Sequence, residues 1–126
     1  MSRCVLIVDD EDDIREVARV SLEVVGGWRV LTARSGSEAL MIARVGRPDA
    51  ILLDVMMPDL DGIATFRLLR ADSGTSKIPV VLLTAKLQVS DRRRFSGIGA
   101  RAVIAKPFDP IELPSQVRSA LGWNEW

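Results

Sequence analysis

Short apolar runs, each ending abruptly at polar residues, recur along the chain. Their length and their content of Val, Ile and Leu are typical of buried strands. A fifth and less apolar strand is predicted at residues 28–33. The four apolar runs cover residues 4–8, 50–53, 78–83 and 102–105.

The segments between the strands have helical periodicity. The first helix is predicted over residues 12–25. Ser35 with Glu38 three residues later indicates a capping box for a second helix that ends near Gly46, and Asp61 can cap a third. The core-facing stripe predicted for the first helix consists of Ile14, Val17, Ala18, Ser21, Leu22 and Val25.

The last two predicted helices differ in character. Residues 86–99 form the fourth, which is basic and has few apolar positions. We interpret its arginines 92–94 as a solvated face. The last helix carries Pro114, which we place in its first turn because proline is tolerated there and disrupts a helix interior.

Strands and helices alternate five times, which predicts βαβ units in one doubly wound, parallel α/β domain with helices on both faces. Its core is expected at residues 3–121, followed by a tail at residues 122–126. Two strand orders suit five such strands, and the pattern alone does not choose between them.

Composition narrows the class of protein. The 126 residues suffice for one domain, and 17 basic residues balance 17 acidic ones, so no net charge favours nucleic acid or an anionic membrane. The apolar runs are too short to span a bilayer and no secretory signal is evident. The single cysteine, Cys4, is interpreted as a small buried hydrophobe. A cytoplasmic protein is expected.

Polar residues follow four of the predicted strands. Asp9 and Asp10 follow the first, Asp54 the third, Thr84 the fourth and Lys106 the fifth. Ligands bind outside the carboxyl ends of the strands in such sheets, so these side chains are expected at one rim. The chain has no histidine, so a metal would be held by oxygen and a histidine in any relay would belong to a partner.

The order of these motifs resembles the receiver domain of two-component response regulators. The resemblance covers essentially all of residues 3–121, and it implies a flavodoxin-like fold with strand order 2-1-3-4-5. The motifs that carry it are Asp9-Asp10, Asp54, Met57-Pro58-Asp59-Leu60-Asp61-Gly62, Thr84-Ala85 and Lys106-Pro107-Phe108.

Three neighbouring carboxylates would repel strongly, and a divalent cation removes this conflict. Mg²⁺ fits best because it binds through few carboxylates plus water and phosphate oxygens. The resemblance implies that Asp10 and Asp54 bind it directly, Asp9 through water, and Met56 through its backbone carbonyl.

The resemblance also implies chemistry for Asp54, which would accept a phosphoryl group from phosphohistidine of a partner kinase or phosphotransfer protein. Lys106 and Thr84 would contact the phosphoryl oxygens, and a cis bond between Lys106 and Pro107 is expected. The chain would be a phosphoacceptor switch that catalyses only its own phosphorylation and dephosphorylation. The face made by the fourth helix, fifth strand and fifth helix is a candidate surface for a homodimer.

The sequence departs from the receiver pattern at one position, which bears on how a partner would recognise the phosphorylated state. Val103 replaces the aromatic residue that receivers usually carry three residues before the lysine. The alternative reading is therefore a pseudo-receiver, an interaction module that works without phosphorylation. A phosphatase with an aspartate nucleophile is disfavoured, because Met56 stands where that group needs a second acid. With valine in place of the ring, we expect the signal to travel through residues 84–86 into the fourth helix.

Overall fold

The computed structural model describes residues 3–57, 60–85, 93–95 and 97–123. Its strands form one five-stranded parallel sheet in the order β2-β1-β3-β4-β5, as the resemblance implied. The strands are β1 Cys4–Val8, β2 Arg29–Ala33, β3 Ala50–Asp54, β4 Val80–Thr84 and β5 Ala102–Ala105.

The three central strands are buried along their whole length, which explains their unbroken apolar sequences. Successive side chains of a strand point to opposite faces, so β1 contributes to two separate cores. Val5 and Ile7 pack on the side of the first and last helices. Leu6 and Val8 pack on the side of the second and third helices. The edge strands β2 and β5 are only partly buried.

The helices cover both faces of the sheet. Of the predicted fourth helix, residues 93–95 and 97 are helical and residues 98–99 form a turn. The rest of that helix lies outside the described residues. The bounds are α1 Asp12–Val20, followed by a π-helical turn Ser21–Val25, then α2 Gly36–Gly46, α3 Gly62–Ala71 and the C-terminal helix Leu113–Leu121.

The first helix differs from the prediction at its end and on part of its face. Its last turn is π-helical, and the buried Ser21 hydroxyl donates a hydrogen bond to the Pro110 carbonyl. Val17 and Val25, which were predicted to face the core, are 43% and 37% exposed. Val17 lies about 100° around the helix from the buried Ala18, at the margin of the apolar stripe.

The predicted helix starts are confirmed. Ser35 accepts a hydrogen bond from the Glu38 amide, although the Glu38 carboxylate accepts from the Arg34 amide rather than from Ser35. Asp61 accepts from the Ala64 amide. Pro114 lies in the first turn of the C-terminal helix.

Two tryptophans pack together at the amino end of the strands, opposite the edge of the sheet that carries Asp9, Asp54 and Lys106. Trp123, just beyond the C-terminal helix, is buried, with its ring 5.3 Å from that of Trp28 in an edge-to-face arrangement. The Arg3 guanidinium lies 4.3 Å from the centre of the Trp123 ring. Cys4 is buried, as predicted, and Trp126 lies outside the described residues.

Candidate functional site

The predicted rim residues lie together. Asp9 directly follows β1, Asp54 and Thr84 are the last residues of β3 and β4, and Lys106 directly follows β5. Because β1 and β3 are paired, Asp54 lies beside the Asp9-Asp10 pair. One carboxylate oxygen from each of Asp9, Asp10 and Asp54 lies within 4.8 Å of the other two.

Asp54 is 1% exposed and its two carboxylate oxygens differ in environment. Oδ1 accepts a hydrogen bond of 3.2 Å from the Met56 amide. Oδ2 accepts none from the part of the chain that is described, and it lies 3.4 Å from Lys106 Nζ. Burial, and then the charge of Asp9, raise the pKa of Asp54 to about 6 although Lys106 opposes the shift. The carboxylate is therefore buried at an electrostatic cost.

Lys106 is the cation shared by the acids. Its ammonium donates a hydrogen bond of 2.9 Å to Asp9 and lies 3.7 Å from Glu11, and its side chain is 8% exposed. Burial acts to lower the pKa of Lys106, but the hydrogen bond and charge of Asp9, with the charge of Asp54, outweigh burial and raise it. The ammonium therefore stays protonated. The Lys106–Pro107 bond is cis, as expected.

Asp9 is held from several directions. Its Oδ1 accepts from the Glu11 amide at 2.9 Å and its Oδ2 pairs with Lys106. Its backbone carbonyl accepts a hydrogen bond of 2.8 Å from Arg15. Asp9 is therefore fixed both as a side chain and as a backbone unit.

Gly62 controls how closely the third helix approaches Asp54. A Cβ atom at Gly62 would lie 2.2 Å from the Asp54 carbonyl oxygen and 2.7 Å from Val55 Cα. The Gly62 amide donates to the Val55 carbonyl at 3.0 Å. Gly62 thus permits close backbone approach at the start of the third helix, and Pro58 and Asp59 of the same motif lie outside the described residues.

The residues of the rim fit a divalent cation. One carboxylate oxygen from each of three aspartates converges there, and the buried Asp54 Oδ2 accepts no hydrogen bond from the described residues. All the donors are hard oxygens, which suit Mg²⁺. The Met56 side chain is 71% exposed, so of this residue only the backbone belongs to the site.

Sequence reasoning missed two residues. Arg15 reaches the Asp9 carbonyl, and Glu11 approaches Lys106. For Arg15, the available signal was an arginine two residues after the five consecutive acids at positions 9–13. Thr84 is buried, and its carbonyl accepts from the Lys106 amide at 2.8 Å.

Comparison with known proteins identifies the family. Residues 5–118 match the response regulator receiver domain. The chain belongs to this family. As a receiver domain, it is a component of two-component signalling, in which such domains act as phosphoacceptor switches that work with a kinase partner.

Related proteins and structures agree with this assignment. The chain is 43% identical over 117 residues to the probable transcriptional regulator ycf27 of Porphyra purpurea, covering 93% of this chain and 46% of that protein. It is 40% identical over 125 residues to the DNA-binding response regulator MtrA of Mycolicibacterium smegmatis, covering 99% and 53%. The structure of the chemotaxis response regulator CheY4 of Vibrio cholerae superposes with a TM-score of 0.88 at 31% identity, covering 95% of this chain and 99% of CheY4.

This receiver spans about half the length of the curated relatives it matches. Among the described residues, no helix has the length and apolar character needed to cross a membrane.

Proposed function

We propose that this receiver accepts a phosphoryl group on Asp54 from phosphohistidine of a partner histidine kinase or histidine phosphotransfer protein, and that it requires Mg²⁺. The observation that carries the proposal is Asp54 Oδ2, a buried carboxylate oxygen without a hydrogen bond from the described residues and 3.4 Å from a lysine ammonium. We assign residues 1–126 to one receiver domain, with its core at residues 3–121 and a C-terminal tail at residues 122–126.

The transfer step uses that oxygen as the nucleophile. With a pKa of about 6, Asp54 is mostly ionised at neutral pH. An oxygen lone pair attacks phosphorus, the P–N bond to the donor's imidazole breaks, and its electron pair leaves with the imidazole nitrogen. Hydrolysis reverses the modification when water attacks phosphorus and the carboxylate leaves. Both steps would be catalysed by the receiver on itself.

The surrounding residues neutralise charge on the phosphoryl oxygens, which is the main requirement of a loose transition state. Lys106 already lies within 3.4 Å of Asp54 and can transfer its hydrogen bond from Asp9 to an incoming oxygen. The Thr84 hydroxyl, at the end of the neighbouring strand, can donate to another. Mg²⁺ bound by Asp10, Asp54, the Met56 carbonyl and, through water, Asp9 would supply positive charge to a third.

The output would be a change of surface that a partner reads. Receivers usually carry an aromatic residue at the position of Val103, and valine has no ring that could move inward. We therefore propose that Thr84 displaces the loop that follows it and, through this loop, the fourth helix. The face formed by that helix, β5 and the C-terminal helix is the proposed homodimer surface. The printed names of ycf27 and MtrA concern transcription and DNA binding, and we assign no direct nucleic-acid contact to the receiver itself.

Labelling by a small acyl phosphate with Mg²⁺ tests the phosphoacceptor assignment. Intact-mass spectra should show one phosphoryl group on the wild type and none on Asp54→Asn. The label should be stable in acid and labile in base, as expected of an acyl phosphate. Asp13→Asn makes the same chemical change at an exposed acid in the first turn of α1 and should label normally.

Two results would contradict the assignment. Equal labelling of wild type and Asp54→Asn would place the phosphoryl group elsewhere. A wild type that never labels, from the acyl phosphate or from phosphohistidine on a partner, would favour the pseudo-receiver.

A further inference from the structure

Arg15 links α1 to the acidic loop that precedes it. One arm of its guanidinium donates a hydrogen bond of 2.8 Å to the Asp9 carbonyl, and the other pairs with the Asp12 carboxylate. Its side chain is 14% exposed, although the helix around it faces solvent. The guanidinium thus spans the acidic loop from its first residue to the helix.

Of the three aspartates at the rim, Asp10 is the one whose carboxylate position depends most on the backbone. No hydrogen bond or ion pair joins its side chain to a described residue. Asp9 and Asp54, by contrast, each accept a hydrogen bond from a backbone amide and lie close to Lys106. The place from which the Asp10 side chain projects is therefore determined by the backbone at Asp9 and Asp10 and not by a hydrogen bond to the carboxylate.

That peptide group is the one that Arg15 contacts. The peptide bond between Asp9 and Asp10 is planar, so a hydrogen bond to the Asp9 carbonyl oxygen also fixes the orientation of the Asp10 amide. Rotation of this unit would turn the Asp10 carboxylate away from Asp9 and Asp54. Arg15 itself is held in α1, because its amide donates to the Glu11 carbonyl at 3.0 Å.

We infer that Arg15 is a positioning residue that holds Asp10 in its metal-binding orientation before the metal arrives. The inference rests on the proposed function, since it concerns the proposed Mg²⁺ site. The effect that it predicts for Mg²⁺ affinity is opposite in sign to the effect that a simple electrostatic argument predicts. A cation beside several acids competes with Mg²⁺, so charge alone predicts that removing Arg15 strengthens Mg²⁺ binding. Positioning predicts weaker binding, because less of the protein is in the competent conformation.

Calorimetric titration with MgCl₂ shows whether removal of Arg15 weakens or strengthens Mg²⁺ binding. Arg15→Met removes the charge and both hydrogen bonds while keeping a good helix former. We expect its dissociation constant for Mg²⁺ to rise roughly tenfold. Arg15→Lys keeps the charge and can donate to one acceptor at a time, so its constant should fall between those of wild type and Arg15→Met.

Arg19→Met is the matched control. Arg19 is on the same helix and its ion pairs with described residues are to Glu16 and Glu23, so its loss removes one positive charge without touching Asp9. Its Mg²⁺ affinity should stay equal or increase slightly. In metal-free protein, amide exchange over residues 9–13 should accelerate in Arg15→Met and not in Arg19→Met.

Equal Mg²⁺ affinities for Arg15→Met and Arg19→Met would overturn the inference while leaving the metal site intact. A wild type whose Mg²⁺ binding is absent, or is unchanged by Asp10→Ala, would instead overturn the proposed metal site. If Arg15→Met does not fold, the comparison of Arg15→Lys with wild type tests the same expectation of weaker Mg²⁺ binding.

Discussion

The two ends of the parallel sheet differ in how well their polar groups are satisfied. At the amino end of the strands, the Asp49 carboxylate accepts from the Cys4 amide at 2.7 Å, while the Asp49 amide donates to the Cys4 carbonyl at 2.7 Å. Nearby, Trp28 and Trp123 pack edge to face. At the carboxyl end, Asp9 and Asp54 are buried and share one lysine.

The difference shows where stability and function are located in this receiver. Apolar burial and paired backbone groups stabilise the amino end. At the carboxyl end, three carboxylates lie together beside one described lysine ammonium, so negative charge is in excess there and a bound cation or a proton would relieve it. Changes at the first end should alter stability alone, whereas changes at the second should alter both stability and phosphorylation.

The largest expected effect on stability is at the tryptophan end. Trp123→Ala should lower the free energy of unfolding by about 3 kcal/mol, because a buried ring and its contact with Trp28 are lost. Labelling of Asp54 below the melting temperature should not change. Denaturant unfolding and intact-mass spectra measure the two quantities. Ile111→Ala, at an exposed apolar residue, is the control, and reduced labelling in folded Trp123→Ala would show that the ends are coupled.

The next largest expected effect is a gain in stability, on removal of the buried charge of Asp54. Folded Asp54 has a pKa of about 6 against an ordinary value of 3.8, so the folded protein binds this proton more strongly than the unfolded chain does. The resulting stabilisation is present below about pH 4 and is lost as the pH rises through about 6. Without Mg²⁺ at about pH 7.5, Asp54→Asn should be more stable than wild type by roughly 1–3 kcal/mol.

That gain should shrink towards zero as the pH falls to about 4. Thermal melts in EDTA across this range measure it. Asp13→Asn, which changes an exposed acid, should give no comparable gain. An advantage of Asp54→Asn that does not depend on pH would mean that the buried charge is not its cause.

Mg²⁺ should stabilise the carboxyl end by a smaller amount. At a free concentration ten times its dissociation constant, the cation should stabilise the wild type by about 1.4 kcal/mol. The melting temperature should respond hardly at all in Asp10→Ala, which lacks a proposed ligand. Trp123→Ala should keep the full response. A response that survives in Asp10→Ala would place the cation elsewhere.

The smallest effect is the displacement that carries the signal. A beryllofluoride mimic of the phosphoryl group should change amide exchange most over residues 84–98 and little around Trp123. The change should diminish in Thr84→Ala, which lacks the hydroxyl proposed to contact the phosphoryl group. Exchange that changes around Val103 while residues 84–98 stay constant would contradict transmission through the loop.

Much of the fold could be predicted because the central strands are buried on both faces and so read as continuous apolar runs. The rim could be predicted because parallel strands bring the residues that follow them to one edge. The π-helical turn could not, since its Ser21 hydroxyl bonds to a carbonyl 89 residues away. The shared use of Lys106 by Asp9 and Asp54, and the contact of Arg15, depend on side-chain directions that spacing does not encode.

The close approach of Gly62 to Asp54 has a consequence for sequence variation. The smallest possible side chain at position 62 would collide with the backbone of the proposed phosphoacceptor, so any substitution there forces Asp54 and the start of the third helix apart. In a library of variants selected for signalling, position 62 should retain glycine almost alone. The adjacent Ile63, which is partly buried in an apolar cluster, should accept several aliphatic residues. A residue with no functional group would thus be among the least replaceable in the receiver.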